Sequence, residues 1–281
     1  SLGAQSWIKT TGTGAHGLVA QSVGGGGGLV GLPGTSPTLT VDASQAGSIS
    51  SGNGQGGNVS VTTNGIIAAT GAGAIGILAQ SVSGAGGLKL AADGNTVYAG
   101  SGISDFLSYA TVDVTVGANA IVSSTAVNGI GIFAQNANGN GVTLNIDGSV
   151  TGGSSTPGAT AIWTHSAAAG MVTKRSTGWG TAIWTDSAAD SMMTIGSTGS
   201  VTADTAVWAT TGLLNINNAG LLMGSVYQNG GSMMNTGTFS SGPEYVGASL
   251  QNNGLVALGG REGTNWGYDR TRFVATTFNT T

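Results

Sequence analysis

The chain has 281 residues, a formal net charge of −4 at pH 7, and charged side chains at only 6 % of its positions. Seven Lys and Arg residues cannot supply the basic patch that nucleic acid or an anionic membrane surface requires, so both are excluded as partners. The absence of cysteine excludes disulfide, thiol and zinc-thiolate chemistry. The sequence contains no run of about 18 apolar residues, so it predicts no transmembrane segment.

A six-residue motif recurs along the chain. Its clearest copies begin at Gly17 (GLVAQS), Gly76 (GILAQS) and Gly131 (GIFAQN), and more divergent copies begin at residues 161, 182 and 206. The shortest intervals between copies, 21 and 24 residues, indicate a repeat unit of just over twenty residues. Repetition at this period is typical of solenoids, arrays and propellers.

Residues 58–81 contain the most complete unit. Residues 59–62 alternate with a period of two, the pattern of a half-buried strand, and residues 66–69 and 76–81 follow after corners rich in Gly and Asn. The same order recurs at 112–134 and at 142–163. Three short strands per turn predict an all-β fold, a right-handed parallel β-helix of about ten to thirteen coils, forming one domain over residues 1–281.

Four regions depart from this pattern. The five glycines at 24–28 have no side chains to pack in a strand and predict a loop that leaves the stack. Residues 84–111, with Tyr98, Phe106 and Tyr109, predict a hairpin or flap lying on the stack. From 212 to 260, glycines at 220, 237 and 254 recur every 17 residues and predict tighter coils, and 261–281 is predicted to be a cap or irregular tail.

Strand alternation assigns the two faces of the motif. The second residue of each copy is predicted to face the core, in an aliphatic ladder of Leu18, Ile77, Ile132, Ile162, Ile183 and Val207. The third residue faces outward, in an apolar stripe of Val19, Leu78, Phe133, Trp163, Trp184 and Trp208. Either a loop or insertion covers this stripe, or its aromatic part contacts a carbohydrate or another protein, because exposed apolar stripes commonly mark interaction sites.

Catalytic signals are weak. Polysaccharide-cleaving enzymes need clustered carboxyl groups, whereas the eleven Asp and Glu residues are scattered. His165, Asp186 and Asp190 lie on neighbouring predicted segments, but such a set is more typical of a protein surface than of a catalytic triad. The GTSP sequence at 34–37 resembles part of the subtilase serine motif without its Asp and His segments. The chain is therefore predicted to be non-enzymatic, with no metal and no cofactor.

Two sets of residues resemble a known family. GLVAQSVGGGGG (17–28) and GILAQSVSGAGG (76–87) are similar to the repeat in passenger domains of large proteobacterial autotransporters, which use type V secretion. NTGTF (235–239) and NNGLVALGG (252–260) resemble the coils that those proteins place before their C-terminal barrel. The resemblance implies a right-handed β-helix exposed on the bacterial outer surface and commonly adhesive or aggregating. The chain departs from the family pattern by showing no signal peptide, barrel or inserted enzyme domain.

Two functions follow as hypotheses. The first is an extracellular adhesin or interaction rod at the bacterial cell surface (outer membrane, exported) that binds a host, matrix or sister-cell ligand. The second is a structural subunit that self-associates into an extracellular fibre or layer, which the low charge favours because little repulsion opposes association. A polysaccharide-degrading enzyme is a third and disfavoured hypothesis.

Overall fold

The computed structural model describes residues 1–24, 27–30, 38–41, 54–83, 86–90, 96–101, 109–126, 129–136, 140–152, 160–165, 184–186, 189–211, 213–228, 230–246, 249–257, 272–274 and 277–280. Within these ranges the regular structure is entirely β-strand. The 26 strands of these ranges are β1 (Trp7–Thr10), β2 (Leu18–Val23), β3 (Gly27–Val30), β4 (Thr38–Val41), β5 (Val59–Thr63), β6 (Ile66–Ala69), β7 (Ile75–Val82), β8 (Gly86–Leu90), β9 (Thr96–Ser101), β10 (Val112–Val116), β11 (Ile121–Ser124), β12 (Ile130–Asn136), β13 (Val142–Ile146), β14 (Ser149–Thr151), β15 (Thr160–His165), β16 (Trp184–Asp186), β17 (Ser191–Ile195), β18 (Ser200–Thr211), β19 (Leu214–Asn218), β20 (Leu221–Tyr227), β21 (Ser232–Asn235), β22 (Thr238–Val246), β23 (Ser249–Asn252), β24 (Leu255–Ala257), β25 (Arg272–Val274) and β26 (Thr277–Thr280).

Most strands belong to three sheets whose neighbouring strands run parallel. Sheet A contains, in order, β5, β10, β13, β17, β19, β21, β23 and β26. Sheet B contains β1, β6, β11, β14, β18, β20, β22 and β24, with β16 also beside β18 and β25 beside β22. Sheet C contains β2, β7, β12 and β15. The strands β5–β7, β10–β12 and β13–β15 enter sheets A, B and C in turn, and β17 to β24 alternate between sheets A and B. The protein is therefore all-β with a parallel, solenoid-like arrangement.

The unit at 58–81 shows how the sequence pattern produces these sheets. In β5, Val59 and Val61 are buried while Ser60 between them is exposed, as the period-two alternation predicts. The next strand of sheet A places Val112 and Val114 directly beside Val59 and Val61. Sheet C differs, because all eight residues of β7 are buried. A strand buried on both faces requires a further layer outside it.

The aliphatic ladder lies along the core. Ile77, Ile132 and Val207 are fully buried in the main apolar cluster, and Leu18 is partly buried against it. Ile162 is in register with Ile132, while its side chain and the whole of Ile183 lie outside the described part of the chain. Because burying one such side chain contributes roughly 1.5–3 kcal/mol, the ladder is a main source of stability.

The glycine that begins the motif is required by a close approach between strands. A Cβ atom on Gly76 would lie 2.6 Å from the carbonyl oxygen of Gly131 and 2.8 Å from Cγ1 of Val122. A Cβ atom on Gly17 would lie 2.6 Å from the carbonyl oxygen of Gly76. A larger residue would push the neighbouring strands apart, so the repeated glycine is explained by packing.

Three asparagines at a 17-residue interval form a buried ladder at the ends of the sheet A strands. Nδ2 of Asn218 donates to Oδ1 of Asn235, and Nδ2 of Asn235 donates to Oδ1 of Asn252, each over 2.6 Å. Nδ2 of Asn218 also donates to the carbonyl of Thr238, and Nδ2 of Asn235 to that of Leu255. A buried amide is costly without partners, and this interval supplies acceptors for Nδ2 of Asn218 and of Asn235 from the next repeat. Oδ1 of Asn218 has no hydrogen-bond partner among the described residues.

The fourth sheet, named the cover sheet, contains β3, β8, β9 and β4. β8 and β9 both lie within 84–111 and pair antiparallel. The prediction that the glycines at 24–28 form a loop is wrong for Gly27 and Gly28, which begin β3 and pair with Gly86 and Gly87 of β8. Backbone hydrogen bonds between strands need no side chain, so two glycine runs can pair with each other.

Sheet A and the main path of sheet B each stack eight strands within the described ranges. The predicted number of about ten to thirteen coils concerns the whole chain and stays a prediction.

Candidate interaction surfaces

The third residues of the motif share one column of sheet C. Val19 is in register with Leu78, Leu78 with Phe133, and Phe133 with Trp163. Val19 is 43 % exposed, whereas Leu78 and Phe133 are fully buried. Phe133 is therefore removed from the predicted contact stripe, because a buried ring cannot meet an external ligand.

A separate run of aromatic residues in register lies in sheet B. Trp184 of β16 lies opposite Trp208 of β18, and Trp208 lies opposite Tyr227 of β20. The side chains of Trp163, Trp184 and Trp208 lie outside the described part of the structure, so their role as ligand or lateral contacts stays a prediction. Tyr227 was missed because no copy of the motif surrounds it.

Part of the layer over sheet C is the cover sheet. Leu88 of β8 is fully buried, and Nε2 of Gln80 in β7 donates to the carbonyl of Gly87 over 3.3 Å. Gln80 also joins a row of amides, accepting a hydrogen bond from Nε2 of Gln21 over 2.7 Å and donating from its own Nε2 to Oε1 of Gln135. This junction is therefore a packed structural contact in which Gln80 links two sheets.

The outer face of sheet B carries a row of exposed apolar side chains. Trp7, Ile66 and Ile121 occupy the first outward position of β1, β6 and β11, in direct register. They are 67 %, 40 % and 43 % exposed, and at the opposite end of the sheet Leu255 is 60 % exposed. The sequence reasoning missed this row, although Ile66 and Ile121 begin the second strand of two successive units and gave a usable signal.

The two central strands of sheet B present small hydroxyl side chains. Ser149 and Thr151 of β14 are in register with Ser200 and Thr202 of β18, and all four are partly exposed. Oγ of Ser200 donates to Oγ of Ser149 over 3.2 Å. The next strand, β20, presents Leu221 and Met223, which are also partly exposed.

Lys9 is the one charged residue at the two outward positions of the eight described strands on the main path. These positions are therefore almost uncharged. Asp204, Glu244 and Arg272 also belong to strands of sheet B, but their side chains lie outside the described part of the structure.

The outer face of sheet A provides a contrast. Its outward positions are mostly Ser, Thr and Asn, as in β5, β13 and β19. The large apolar residues exposed there are Met192 at 48 % and Met234 at 43 %. They lie on β17 and β21 and do not form a continuous row, since β19 separates them.

The titratable side chains that the structure describes do not form a catalytic site. His165 and Asp186 end β15 and β16, and their side chains lie outside the described part of the structure. Asp190 is exposed at the corner before β17. Among the residues that the structure describes, no group of three His, Cys, Asp or Glu side chains could hold a metal ion.

His16 lies at the corner between β1 and β2 and is largely buried. The backbone N–H of Ile75 donates to its Nδ1 over 3.1 Å, and its Nε2 has no hydrogen-bond partner among the residues that the structure describes. Burial lowers the pKa of His16 to about 4, because the charged ring would lose its hydration. The ring is therefore neutral at physiological pH and supports the contact between the first two repeat units.

Comparison with known proteins gives no match to a protein-family model, to a curated protein or to a solved structure. Within the described ranges, no helix has the length and apolar character needed to span a membrane. The class of this protein is therefore defined by its fold, an all-β chain with parallel, solenoid-like sheets.

Proposed function

We propose that the chain is a right-handed parallel β-helix with three short strands per coil, displayed outside a bacterial cell as an adhesive rod. It binds a host, matrix or sister-cell surface ligand and has no catalytic role. The observation that carries this proposal is the exposed row of Trp7, Ile66 and Ile121 on sheet B. The parallel strand registers and the resemblance of residues 17–28 and 76–87 to autotransporter passenger repeats support it.

The exposed apolar area of this row is large enough to contribute to binding. Aromatic side chains bury on the order of 150–250 Å², so a Trp7 that is 67 % exposed leaves on the order of 100–170 Å² in water. Covering that area would contribute about 3 kcal/mol. Ile66 and Ile121 extend the same patch on adjacent strands. Contiguous exposed apolar surface of this kind commonly marks an interaction site.

The proposal is tested with beads that carry the purified chain. Attachment is measured on surfaces coated with extracellular matrix protein, on surfaces coated with polysaccharide and on bacteria that display the chain. We expect attachment by the native chain to at least one of these surfaces, loss with Trp7→Ala, and no loss with Met192→Ala, which removes an exposed side chain from sheet A. Failure of the native beads to attach to any of these surfaces would contradict an adhesive function.

A second function, assembly into a fibre or layer, is favoured by the low charge of the chain. Charged side chains occupy only 6 % of its positions, so little electrostatic repulsion opposes association between molecules.

Electron microscopy at micromolar concentration in physiological salt separates the two functions. Single short rods that attach in the bead assay support adhesion. Regular fibres or sheets make assembly the main function, and dispersed rods with no attachment exclude both.

A further inference from the structure

We propose that the outer face of sheet B binds an uncharged polysaccharide that lies along the direction in which the strands stack. The inference rests on the proposed adhesive function and names the ligand class of its surface. It is carried by the side chains at the two outward positions of each described main-path strand: hydroxyl groups on the central β14 and β18, apolar residues on strands to both sides of them, and Lys9 as the one charge.

The order of the side chains disfavours a protein partner. Protein interfaces have an apolar, aromatic centre and a polar rim, and serine is depleted from them. Sheet B departs from this order, because Ser149 and Ser200 occupy its central strands while the apolar Trp7, Leu221 and Leu255 lie to either side of them. A second copy of the chain would therefore place its poorest contact surface at the middle of the interface.

The chemistry of a sugar polymer matches both parts of the face. Each sugar ring has an apolar face of C–H groups and a periphery of hydroxyl groups. Trp7 offers a large exposed ring for stacking, and Thr151 and Thr202 offer hydroxyls that both donate and accept hydrogen bonds. Strands about 4.8 Å apart make the eight-stranded row roughly 34 Å long, so several sugar units are contacted together.

Charge selects among polysaccharides. The chain carries a net charge of −4, and Lys9 is the one cation at the outward positions of the described main-path strands. A sulfated or uronic-acid polymer therefore meets general repulsion with no cluster of cations to offset it. An uncharged polymer meets no such penalty.

The test is a depletion assay in which the purified chain is mixed with microcrystalline cellulose, chitin or insoluble β-1,3-glucan in physiological salt. We expect binding to at least one of these three polymers and no retention on heparin-agarose. Trp7→Ala should weaken binding at least about tenfold, the loss typical of a residue that anchors a contact. The double variant Thr151→Val and Thr202→Val keeps side-chain shape while removing two hydroxyls, and it should also weaken binding. Met192→Ala is the matched control and should bind as the native chain does.

Folding of each variant is checked by circular dichroism, and the threonine variant is informative even if Trp7→Ala misfolds, since valine favours strands. Absence of binding to all three polymers overturns the inference, as does an equal loss with Trp7→Ala and Met192→Ala. A dimer in analytical ultracentrifugation that Trp7→Ala dissolves would assign the face to a second copy and overturn it too. Bead attachment without polysaccharide binding rejects the ligand class and leaves adhesion standing, whereas loss of both results rejects the two proposals together.

Discussion

Replacement of Asn235 by alanine is the most direct test of the buried asparagine ladder. The side chain is fully buried in β21, where Oδ1 accepts a hydrogen bond from Asn218. Its Nδ2 donates to Oδ1 of Asn252 and to the carbonyl of Leu255. Nδ2 also donates to the carbonyl of Gly237 over 3.3 Å. Alanine removes all four hydrogen bonds and breaks the connection between the other two asparagines.

The expected loss follows from these contacts. A neutral hydrogen bond contributes about 1 kcal/mol net, and a buried polar group left without a partner costs about 1–3 kcal/mol. After the replacement, Nδ2 of Asn218 keeps its bond to Thr238, and Oδ1 of Asn252 keeps the N–H of Gly254 at 3.3 Å. Most of the loss is therefore the four hydrogen bonds themselves, and we expect the free energy of unfolding to fall by about 3–4 kcal/mol.

The measurement is urea-induced unfolding followed by far-UV circular dichroism. Asn145→Ala is the control, because Asn145 is exposed on the outer face of sheet A and should change the free energy of unfolding by no more than about 0.5 kcal/mol. Solenoids can lose terminal units first, so hydrogen exchange over residues 232–257 is measured on the same variants. A loss below about 1 kcal/mol with unchanged exchange would refute the assigned role of the ladder.

Three further changes test other parts of the fold. Ile77→Asp places an unpaired charge in the core, so we expect loss of the β-rich circular dichroism spectrum. A native spectrum with a native melting temperature would contradict the assignment of Ile77 to the core-facing side of β7. Gly237→Ala would put Cβ 2.3 Å from the carbonyl oxygen of Gly220, so we expect the free energy of unfolding in urea to fall by about 1–3 kcal/mol. Gly3→Ala is the control, because the nearest atom to a Cβ at Gly3 is 3.7 Å away. Equal effects of the two replacements would contradict this packing. Burial lowers the pKa of His16 from 6.5 to about 4, so the unfolded chain binds a proton at this residue more readily than the folded chain does. The contribution of His16 to the free energy of unfolding is therefore fully present above about pH 6.5 and falls by roughly 3 kcal/mol as the pH approaches 4. His16→Gln should flatten this dependence between pH 7 and 4.5, and identical pH profiles for variant and native chain would show that His16 does not cause it.

The strands of sheets A and B are the part of the fold that the sequence predicts best. The alternation at 59–62 and the short apolar stretch at 66–69 correspond to β5 and β6, because one-sided burial imposes a period of two on any strand with one solvated face. Gly and Asn mark the corners because they tolerate the positive φ angles that tight turns use, which is also a local property. These signals do not depend on which distant segments pair with each other.

Contacts between distant segments account for what the sequence did not predict. Gly27 and Gly28 form a strand only because Gly86 and Gly87, in a separate repeat unit, pair with them. Burial of Phe133 likewise depends on a layer outside sheet C. The 17-residue period was visible in the glycines, but the hydrogen bonds between the asparagines depend on their inward orientation, which the glycine spacing does not report.

The asparagine ladder also makes the C-terminal part of the chain modular. Residues 219–235 carry the chain from one ladder asparagine to the next, and the strands at 218, 235 and 252 keep one register. Duplication or deletion of such a 17-residue cassette joins equivalent positions, so each remaining asparagine finds the same neighbour as before. Gene-level changes in repeat number can therefore lengthen or shorten the protein without any redesign of its core, and homologous chains of different length are expected to differ here by multiples of one cassette.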